Sequence, residues 1–438
     1  MSNLQTILKK AFAAAVAVAD PQIIVPEYLA QIFPKGQEPK GRCLVVGAGK
    51  ASASMASALE RHAQDCWPEV KLEGVVLTRY GHHSPTQHIQ IIEAGHPVPD
   101  QAGMDGAQAI FDLVSHLKSD DLLIALISGG GSSLLTLPQN GISIEDMQKT
   151  TELLLRSGAP IEEMNVVRKH LSAILGGNLA RLAIKKDVRV EALLISDVTG
   201  DSPADIASGP CAPDYSTYQD ALNILTQYHL DENIIPSAVL RHLNQGCSGA
   251  LPETLKEVDL QGARVTNHVI ATAYKSLEAA AEYVQTQGYE PIILGDTITG
   301  EAQELGIEQS LIARQQMKQI PVALISGGEC TVTLPVGLKG RGGRCSEFLL
   351  SLFSATGDLP HLSALAADTD GIDGSEKNAG AWFTPEIRQQ AQTQGLSPQE
   401  YLTGHDCYGF FAELDALVET GPTLTNVNDF RIILIDSQ

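Results

Sequence analysis

A glycine-rich turn with one lysine lies between two predicted elements near the start of the chain. The turn is Gly47-Ala48-Gly49-Lys50; an apolar run typical of a buried strand precedes it, and a helical pattern follows it. A glycine-rich turn that opens a helix can bind phosphate or another anion through its backbone amides. The turn therefore predicts either an anion site with Lys50 as its cation or a tight strand-to-helix connection with a solvated lysine.

The residue types in and around this turn exclude two common nucleotide-binding motifs. A dinucleotide fingerprint needs a third glycine or an alanine where this chain has Ser52, and an acidic residue at a strand end about 20 residues later, which is lacking. A Walker A loop needs glycine at the place of Leu44 and Ser or Thr at the place of Ala51. Neither nucleotide motif fits.

The segment ALISGG occurs twice, at 125–130 and at 323–328, each time at the end of a predicted strand. Ligands of open α/β sheets bind beyond the carboxyl ends of the strands, so the repeat predicts two related sites. Backbone amides and hydroxyls suit a carboxylate or a phosphate in the first glycine loop, which comprises Ser128, Gly129, Gly130, Gly131, Ser132 and Ser133. A carboxylate favours a metal-bound phosphate in the second glycine loop, which comprises Ser326, Gly327, Gly328, Glu329, Cys330 and Thr331.

Charged side chains add two further pairs of candidate residues. Arg341 and Arg344 flank two glycines in the loop Gly340–Arg344, and guanidinium groups bind carboxylate or phosphate in a bidentate manner. Asp197 comes directly after a predicted strand, and Asp370 lies in the loop Asp368–Gly374 that follows another. Mg²⁺ prefers one or two carboxylates together with substrate phosphates, which predicts these two aspartates as its ligands. The alternative for each aspartate is a turn or a helix cap.

Apolar strands alternate with helical patterns along the whole chain, including one predicted helix over 167–183. This alternation predicts an α/β fold whose sheet is mostly parallel and covered by helices on both faces. Residues 246–262 carry Gly, Pro and charge without a strong period, so we expect a linker there. The predicted domains are a Rossmann-like one over 1–245 and an α/β one over 263–438, with the active site in the cleft between them.

Composition excludes several classes of partner. The chain has 438 residues and a formal net charge of −22, which argues against nucleic acid and anionic membranes. No apolar run reaches the ~18 residues of a membrane span. Seven cysteines without a C-x-x-C pair predict reduced thiols in a cytoplasmic protein. Helical spacing from Leu4 to Phe12 favours a first helix over a signal peptide.

Eight motifs together resemble one family, the glycerate 2-kinases with a MOFRL domain at the C-terminus. They are GAGKAS, EAGHPVPD, SGGGSSLL, ISDVTGDSPADIASGP, SGGECTVT, GRGGRCSEF, DTDGIDG and GPTLTNVNDFRIIL, and they span nearly the whole chain in the family's order. Some relatives carry the label hydroxypyruvate reductase. One departure is Cys345-Ser346, where the family usually has Asn-Gln.

The resemblance implies phosphorylation of D-glycerate by ATP and Mg²⁺, giving 2-phosphoglycerate. It implies a catalytic role for Lys50 and for an arginine of the Gly340–Arg344 loop, Arg341 or Arg344. Glycerate is expected at Gly49 and the first glycine loop, and the nucleotide at the second. Asp197 is expected either to bind the metal, as Asp370 would, or to accept the proton of the 2-hydroxyl.

Two alternatives stay open beside the kinase. An NAD(P)H-dependent hydroxypyruvate reductase would need the dinucleotide fingerprint that is absent here. A non-catalytic module for small carboxylates would leave Lys50 and the arginine loop without a shared purpose. The sequence also leaves open the nucleotide preference and the oligomeric state, a homodimer included.

Overall fold

The structure is a computed structural model that describes residues 3–230, 233–317, 320–335 and 337–436. Its contacts divide the chain into two compact units, each with its own sheet. The N-terminal unit is Ile24–Ile270, and the C-terminal unit combines the chain up to Ile23 with the chain from Ala271 onward. In the part of the chain that the structure describes, no helix is long and apolar enough to cross a membrane.

The helices of the described ranges are, in chain order, α1 Asn3–Ala17, α2 Pro21–Ile32, α3 Ser52–Cys66, α4 Gln101–Ser115, α5 Gly131–Leu134, α6 Ile144–Ser157, α7 Ile161–Leu171, α8 Asn178–Ile184, α9 Tyr218–Gln227, α10 Ser237–Cys247, α11 Ala273–Thr286, α12 Ala302–Gln315, α13 Arg344–Ala355, α14 Pro385–Gln394, α15 Pro398–Thr403 and α16 Cys407–Glu413. The strands are β1 Arg42–Ala48, β2 Lys71–Arg79, β3 Ile89–Ala94, β4 Leu122–Ile127, β5 Arg189–Ile195, β6 Val265–Ala271, β7 Glu290–Gly295, β8 Gly300–Glu301, β9 Val322–Gly328, β10 Cys330–Thr331, β11 Leu362–Asp368, β12 Gly380–Phe383, β13 Leu417–Val418 and β14 Asp429–Ile435.

The sheet of the N-terminal unit has the strand order β3-β2-β1-β4-β5-β6. Neighbours from β3 through β5 pair in parallel, as the sequence predicts. Strands β1 and β4 are buried along almost their whole length because helices cover both faces of such a sheet. The carboxyl ends of β1, β4 and β5 therefore lie along one edge of the sheet.

The sheet of the C-terminal unit is mixed, with the order β13-β12-β11-β14-β9-β7. Strands β7 and β9 are parallel, but β14 runs antiparallel to both β9 and β11. A fully buried strand has the same apolar pattern whether it pairs in parallel or antiparallel. The sequence therefore indicated the strand but not its orientation.

One predicted helix is corrected, and the predicted domain boundary stays a prediction beside the contact division. The predicted helix over 167–183 is two helices, α7 and α8, because Gly176 and Gly177 both adopt positive φ between them. The predicted domain boundary at 246–262 also differs from the contact division, since β6 extends the N-terminal sheet beyond that stretch. Helix α1 belongs to the C-terminal unit because its apolar face, including Leu8 and Phe12, packs into that core.

Candidate functional site

The turn after β1 and the first glycine loop after β4 are joined by three hydrogen bonds. The amide of Lys50 donates to the carbonyl of Gly129 at 2.9 Å, and the amide of Ser128 donates to the carbonyl of Ala48 at 3.2 Å. The Ser128 hydroxyl accepts from the amide of Ala51 at 3.0 Å. The structure thus brings Lys50 and the first glycine loop together, as the sequence predicts.

Gly49 makes this approach possible. Its φ is +142°, and a Cβ there would lie 2.1 Å from the Ser128 hydroxyl oxygen and 2.4 Å from the Ser128 carbonyl oxygen. Any side chain would push the two loops apart, so glycine is required at this position for packing and backbone conformation alike.

The first glycine loop presents unused donors. Across the described ranges, the amides of Gly129 and Gly130 have no hydrogen-bond acceptor. The imidazole of His96 lies next to Gly130, where a Cβ would be 2.8 Å from its Nε2. Backbone amides without partners in the fold are available to an anion, which would satisfy them.

A strained turn contacts this loop from the segment 204–209. The Ser132 hydroxyl lies 2.8 Å from the hydroxyl of Ser208. Ala207 and Ser208 adopt positive φ of 49° and 57°, which costs of order 1 kcal/mol for each residue with a side chain. Such strain is typical of ligand sites, and the small residues of ASGP are its one sign in the sequence.

Asp197 lies on the same edge of the sheet, two residues after the end of β5. It is half-buried. Since β4 and β5 are parallel neighbours, Asp197 follows the strand adjacent to the one that ends in the first glycine loop. The structure therefore places Gly49, Lys50, Ser128–Ser133 and Asp197 along one edge of the N-terminal sheet.

Arg168 is a site residue that the sequence interpretation missed. It lies near the end of α7, half-buried, and its Nη2 donates to the carbonyl of Ser132 at 3.1 Å. Burial lowers the pKa of its guanidinium. The available signal was the basic triplet RKH at the end of an amphipathic helix in an acidic chain.

The second glycine loop does not form a loop equivalent to the first. Residues Ser326 to Gly328 are the last three of strand β9 and are buried. The Ser326 hydroxyl accepts from Gln309 Nε2 at 3.0 Å, and the Gly327 carbonyl accepts from Arg431 Nη1 at 3.3 Å. These contacts leave little of Ser326 and Gly327 for the predicted nucleotide, whereas Glu329 and Thr331 are exposed.

Arg344 is bound by three carboxylates rather than directed at solvent. Its Nε donates to Asp429 at 2.7 Å, its Nη1 to Glu329 at 2.6 Å and its Nη2 to Asp368 at 2.8 Å. Burial works against the charged form, but the three carboxylates raise the pKa of Arg344 well above its usual range. This geometry favours a structural role over the catalytic one that the sequence predicts.

Arg341 is the more accessible arginine of its loop. Its side chain is 54% exposed, with Glu376 at 3.5 Å and Asp406 at 4.0 Å. Its guanidinium lies 4.9 Å from the ring centroid of Tyr408. Exposed ion pairs of this length are weak, so an incoming anion can compete with them.

The pair Cys345-Ser346 is buried at the start of α13. Asp373 accepts hydrogen bonds from both amides, at 3.0 and 2.8 Å, and from the Ser346 hydroxyl at 2.5 Å. The departure from the family's usual Asn-Gln therefore concerns a helix cap inside the protein.

The carboxylates present suit Mg²⁺ only in combination with phosphates. In the described part of the chain, no group of three or more His, Cys, Asp or Glu side chains could hold a metal ion. Asp197 is half-buried, whereas Asp370 is buried and its Oδ1 accepts from the amide of Ile372 at 2.9 Å. Asp197 is thus the better placed of the two predicted ligands.

Two family models match the chain. A domain of unknown function, DUF4147, matches residues 7–244, and the MOFRL family matches residues 322–429.

Full-length relatives carry two kinds of name. The chain is 46% identical to a protein from Agrobacterium vitis that is named, provisionally, a hydroxypyruvate reductase, over 99% of this chain and 95% of that one. It is 38% identical to the glycerate 2-kinase of Pyrococcus horikoshii, over 98% of this chain and 94% of that one. The crystal structure of glycerate kinase from Thermotoga maritima superposes with a TM-score of 0.83 at 34% identity, covering 97% of this chain and 98% of that one.

Proposed function

The chain belongs to the family of glycerate 2-kinases with a MOFRL domain. From this premise we propose that the turn Gly47–Lys50 and the first glycine loop bind D-glycerate for phosphorylation at the 2-hydroxyl. The chain is a glycerate 2-kinase, and its reaction is a nucleotide-dependent phosphoryl transfer. ATP as the nucleotide and Mg²⁺ as the metal are part of the proposal.

The observation that carries the assignment of the site is the hydrogen-bonded pair of loops around Lys50 and Gly129. Phosphoryl transfer passes through a state with negative charge spread over several oxygens, so catalysis consists mainly of positioning and of cations and amides around that charge. The unused amides of Gly129 and Gly130, next to Lys50, are groups of this kind.

Each residue then has a defined task. The Ser128–Ser133 loop holds the substrate, and Lys50 neutralises the transferred phosphoryl group as a point cation. Asp197 has one of two roles: it accepts the proton of the 2-hydroxyl or it binds Mg²⁺. Asp197 would hold the metal in the second of these roles, and the metal would supply positive charge that offsets the charge of the nucleotide's phosphates. In the C-terminal unit, Arg341, Glu329 and Thr331 remain the groups that we propose for the nucleotide.

The reductase name of some relatives finds no support in the turn after β1. Ser52 occupies the position of the third glycine and is buried, with its hydroxyl 3.3 Å from that of Ser128. A glycine there lets the helix approach the strand closely in dinucleotide sites. In this protein the first glycine loop packs against the turn instead.

Product formation from D-glycerate, ATP and Mg²⁺ tests the proposal directly. Coupling to enolase detects 2-phosphoglycerate, and a parallel reaction contains hydroxypyruvate and NADH. We expect signal only in the first reaction. Consumption of ATP without a direct enolase signal would move the phosphate to the 3-position, and oxidation of NADH would support the reductase instead.

A further inference from the structure

Arg168 has an unusual electrostatic environment for a half-buried arginine. Its Nη2 donates to the carbonyl of Ser132 at 3.1 Å and its Nη1 to the side-chain carbonyl of Asn165 at 3.4 Å. Both acceptors are neutral. Among the residues that the structure describes, no carboxylate lies within ion-pair distance of it.

Other arginines of the protein show what is missing at Arg168. Arg344 contacts three carboxylates, and Arg388 lies over the rings of Phe353 and Phe383 at 4.3 and 4.8 Å. A guanidinium removed from water without such partners is costly. An anion from outside the protein would compensate this charge.

The position of Arg168 indicates where that anion lies. Its guanidinium is bonded to the carbonyl of Ser132, whose hydroxyl contacts the strained turn at Ser208. The same loop contains the unused amides of Gly129 and Gly130. The cation without a counter-ion is therefore attached to the proposed substrate loop itself.

The shapes of the two cationic side chains distinguish the two anionic groups expected at this site, the substrate carboxylate and the transferred phosphoryl group. A guanidinium presents two parallel N–H donors that match the two oxygens of a planar carboxylate, whereas a lysine ammonium acts as a point charge on a phosphoryl group. We infer that Arg168 binds the carboxylate of the substrate and makes the enzyme select 2-hydroxy acids over neutral polyols. This inference rests on the proposed function and assigns substrate specificity to Arg168.

The test compares Arg168→Gln and Arg168→Lys with the wild-type protein. Loss of a charge-assisted bidentate contact should raise KM for D-glycerate by roughly 10- to 100-fold. KM for ATP should stay within about twofold, because the contact is not made to the nucleotide. Lysine retains the charge without the fork, so it should restore only part of the affinity. Methylguanidinium added to Arg168→Gln should lower its KM for D-glycerate.

Arg181→Gln is the matched control. Arg181 is a half-buried arginine of the adjacent helix α8 that donates to the Glu253 carbonyl and to Asp259 at 3.3 Å. An equal rise of KM in this variant would mean that loosening of the unit, not carboxylate binding, explains the effect. A fall of kcat in Arg168→Gln at unchanged KM would assign Arg168 to the phosphoryl group and overturn the inference.

Binding measured without turnover separates this inference from the proposed function. Calorimetry of the wild-type protein with D-glycerate and with glycerol should show binding of the acid only, and Arg168→Gln should lose it. A wild-type protein that binds D-glycerate through Arg168 but makes no 2-phosphoglycerate would contradict the proposed function alone. Equal binding of D-glycerate by wild-type and Arg168→Gln protein would contradict the inference alone.

Discussion

The two copies of ALISGG have the same six residues but form different structures. In the first copy, β4 ends at Ile127 and the following residues form a loop with unused amides. In the second copy, β9 continues through Gly328, and its Ser and Gly residues bond to neighbouring elements. A repeated strand-and-glycine segment therefore does not by itself make two equivalent sites.

The difference arises from the neighbours of each copy. The first copy has the parallel strand β1 beside it, whose own turn meets it at Gly49 and Lys50. The second copy has the antiparallel strand β14 beside it, which brings Asp429 and Arg431 next to its glycines. Burial opposes ionisation of Asp429, but Arg344 and Arg431 lower its pKa, so the second region is an internal ion network.

Among variants that distinguish the surroundings of the two ALISGG copies, Arg344→Met should have the largest effect, and the effect should be on stability. This change leaves the buried carboxylates of Asp368 and Asp429 without their shared cation, which should lower the free energy of unfolding by about 3–5 kcal/mol. Urea titration measures it. Arg314→Met is the control, because Arg314 pairs with the exposed Asp358 and should change the midpoint little. Unchanged stability together with lost turnover would return Arg344 to the catalytic role that the sequence predicts.

At the site around the first glycine loop, Lys50→Ala should lower kcat without lowering the free energy of unfolding. Loss of one cation beside the transferred phosphoryl group should reduce kcat by about 10²-fold or more. The midpoint of unfolding should stay nearly unchanged, because the Lys50 amide that bonds to Gly129 is retained. Lys149→Ala, an exposed lysine on α6, is the matched control. Near-normal turnover in Lys50→Ala would remove this residue from the mechanism.

A pair of glycine substitutions gives a sharper test of the comparison. In Gly130→Ala, the new Cβ would meet the flexible side chain of His96 at 2.8 Å, so we expect KM for D-glycerate to rise by about tenfold. In Gly328→Ala, the Cβ would lie 2.2 Å from the backbone oxygen of Ile298, so we expect loss of stability. Steady-state kinetics and thermal unfolding of both variants show which property each glycine supports.

Gly158→Ala separates the cost of positive φ from these contacts. Gly158 has a φ of +80°, close to the +81° of Gly130, and a Cβ there would meet nothing within 4 Å. It should lose about 1 kcal/mol of stability from backbone strain, with unchanged KM. If Gly130→Ala behaved in the same way as Gly158→Ala, the first glycine loop would be structural, like Ser326–Gly328 in strand β9.

The sequence predicted the strands and the candidate residues better than it predicted the contacts between them. Apolar runs located most of the long strands, and the strand-then-glycine pattern placed Lys50 and Ser128 each after a predicted strand. The direction of β14 and the partners of Arg344 depend on contacts between residues distant in sequence, such as the 85-residue separation from Asp429. Arg168 was missed because a basic residue at a helix end is ordinary in sequence, and only its lack of a counter-ion in space marks it.

The smallest effect should come from Ser346→Ala, which tests whether the departure Cys345-Ser346 concerns the reaction. The lost hydroxyl donates to Asp373, so the expected cost is about 1 kcal/mol of stability, with kcat and both KM values unchanged. Ser354→Ala, an exposed serine of the same helix, is the control.

The pH dependence of this cost identifies Asp373 as its source. Burial raises the pKa of Asp373 to about 6, above its value in the unfolded chain, so its stabilising contribution is complete at low pH and is lost as pH rises through 6. The ionised carboxylate needs the Ser346 hydroxyl more than the neutral acid does. Unfolding of Ser346→Ala should therefore show a larger penalty at pH 8 than at pH 5. A changed KM for ATP or D-glycerate at either pH would instead place this pair at a ligand.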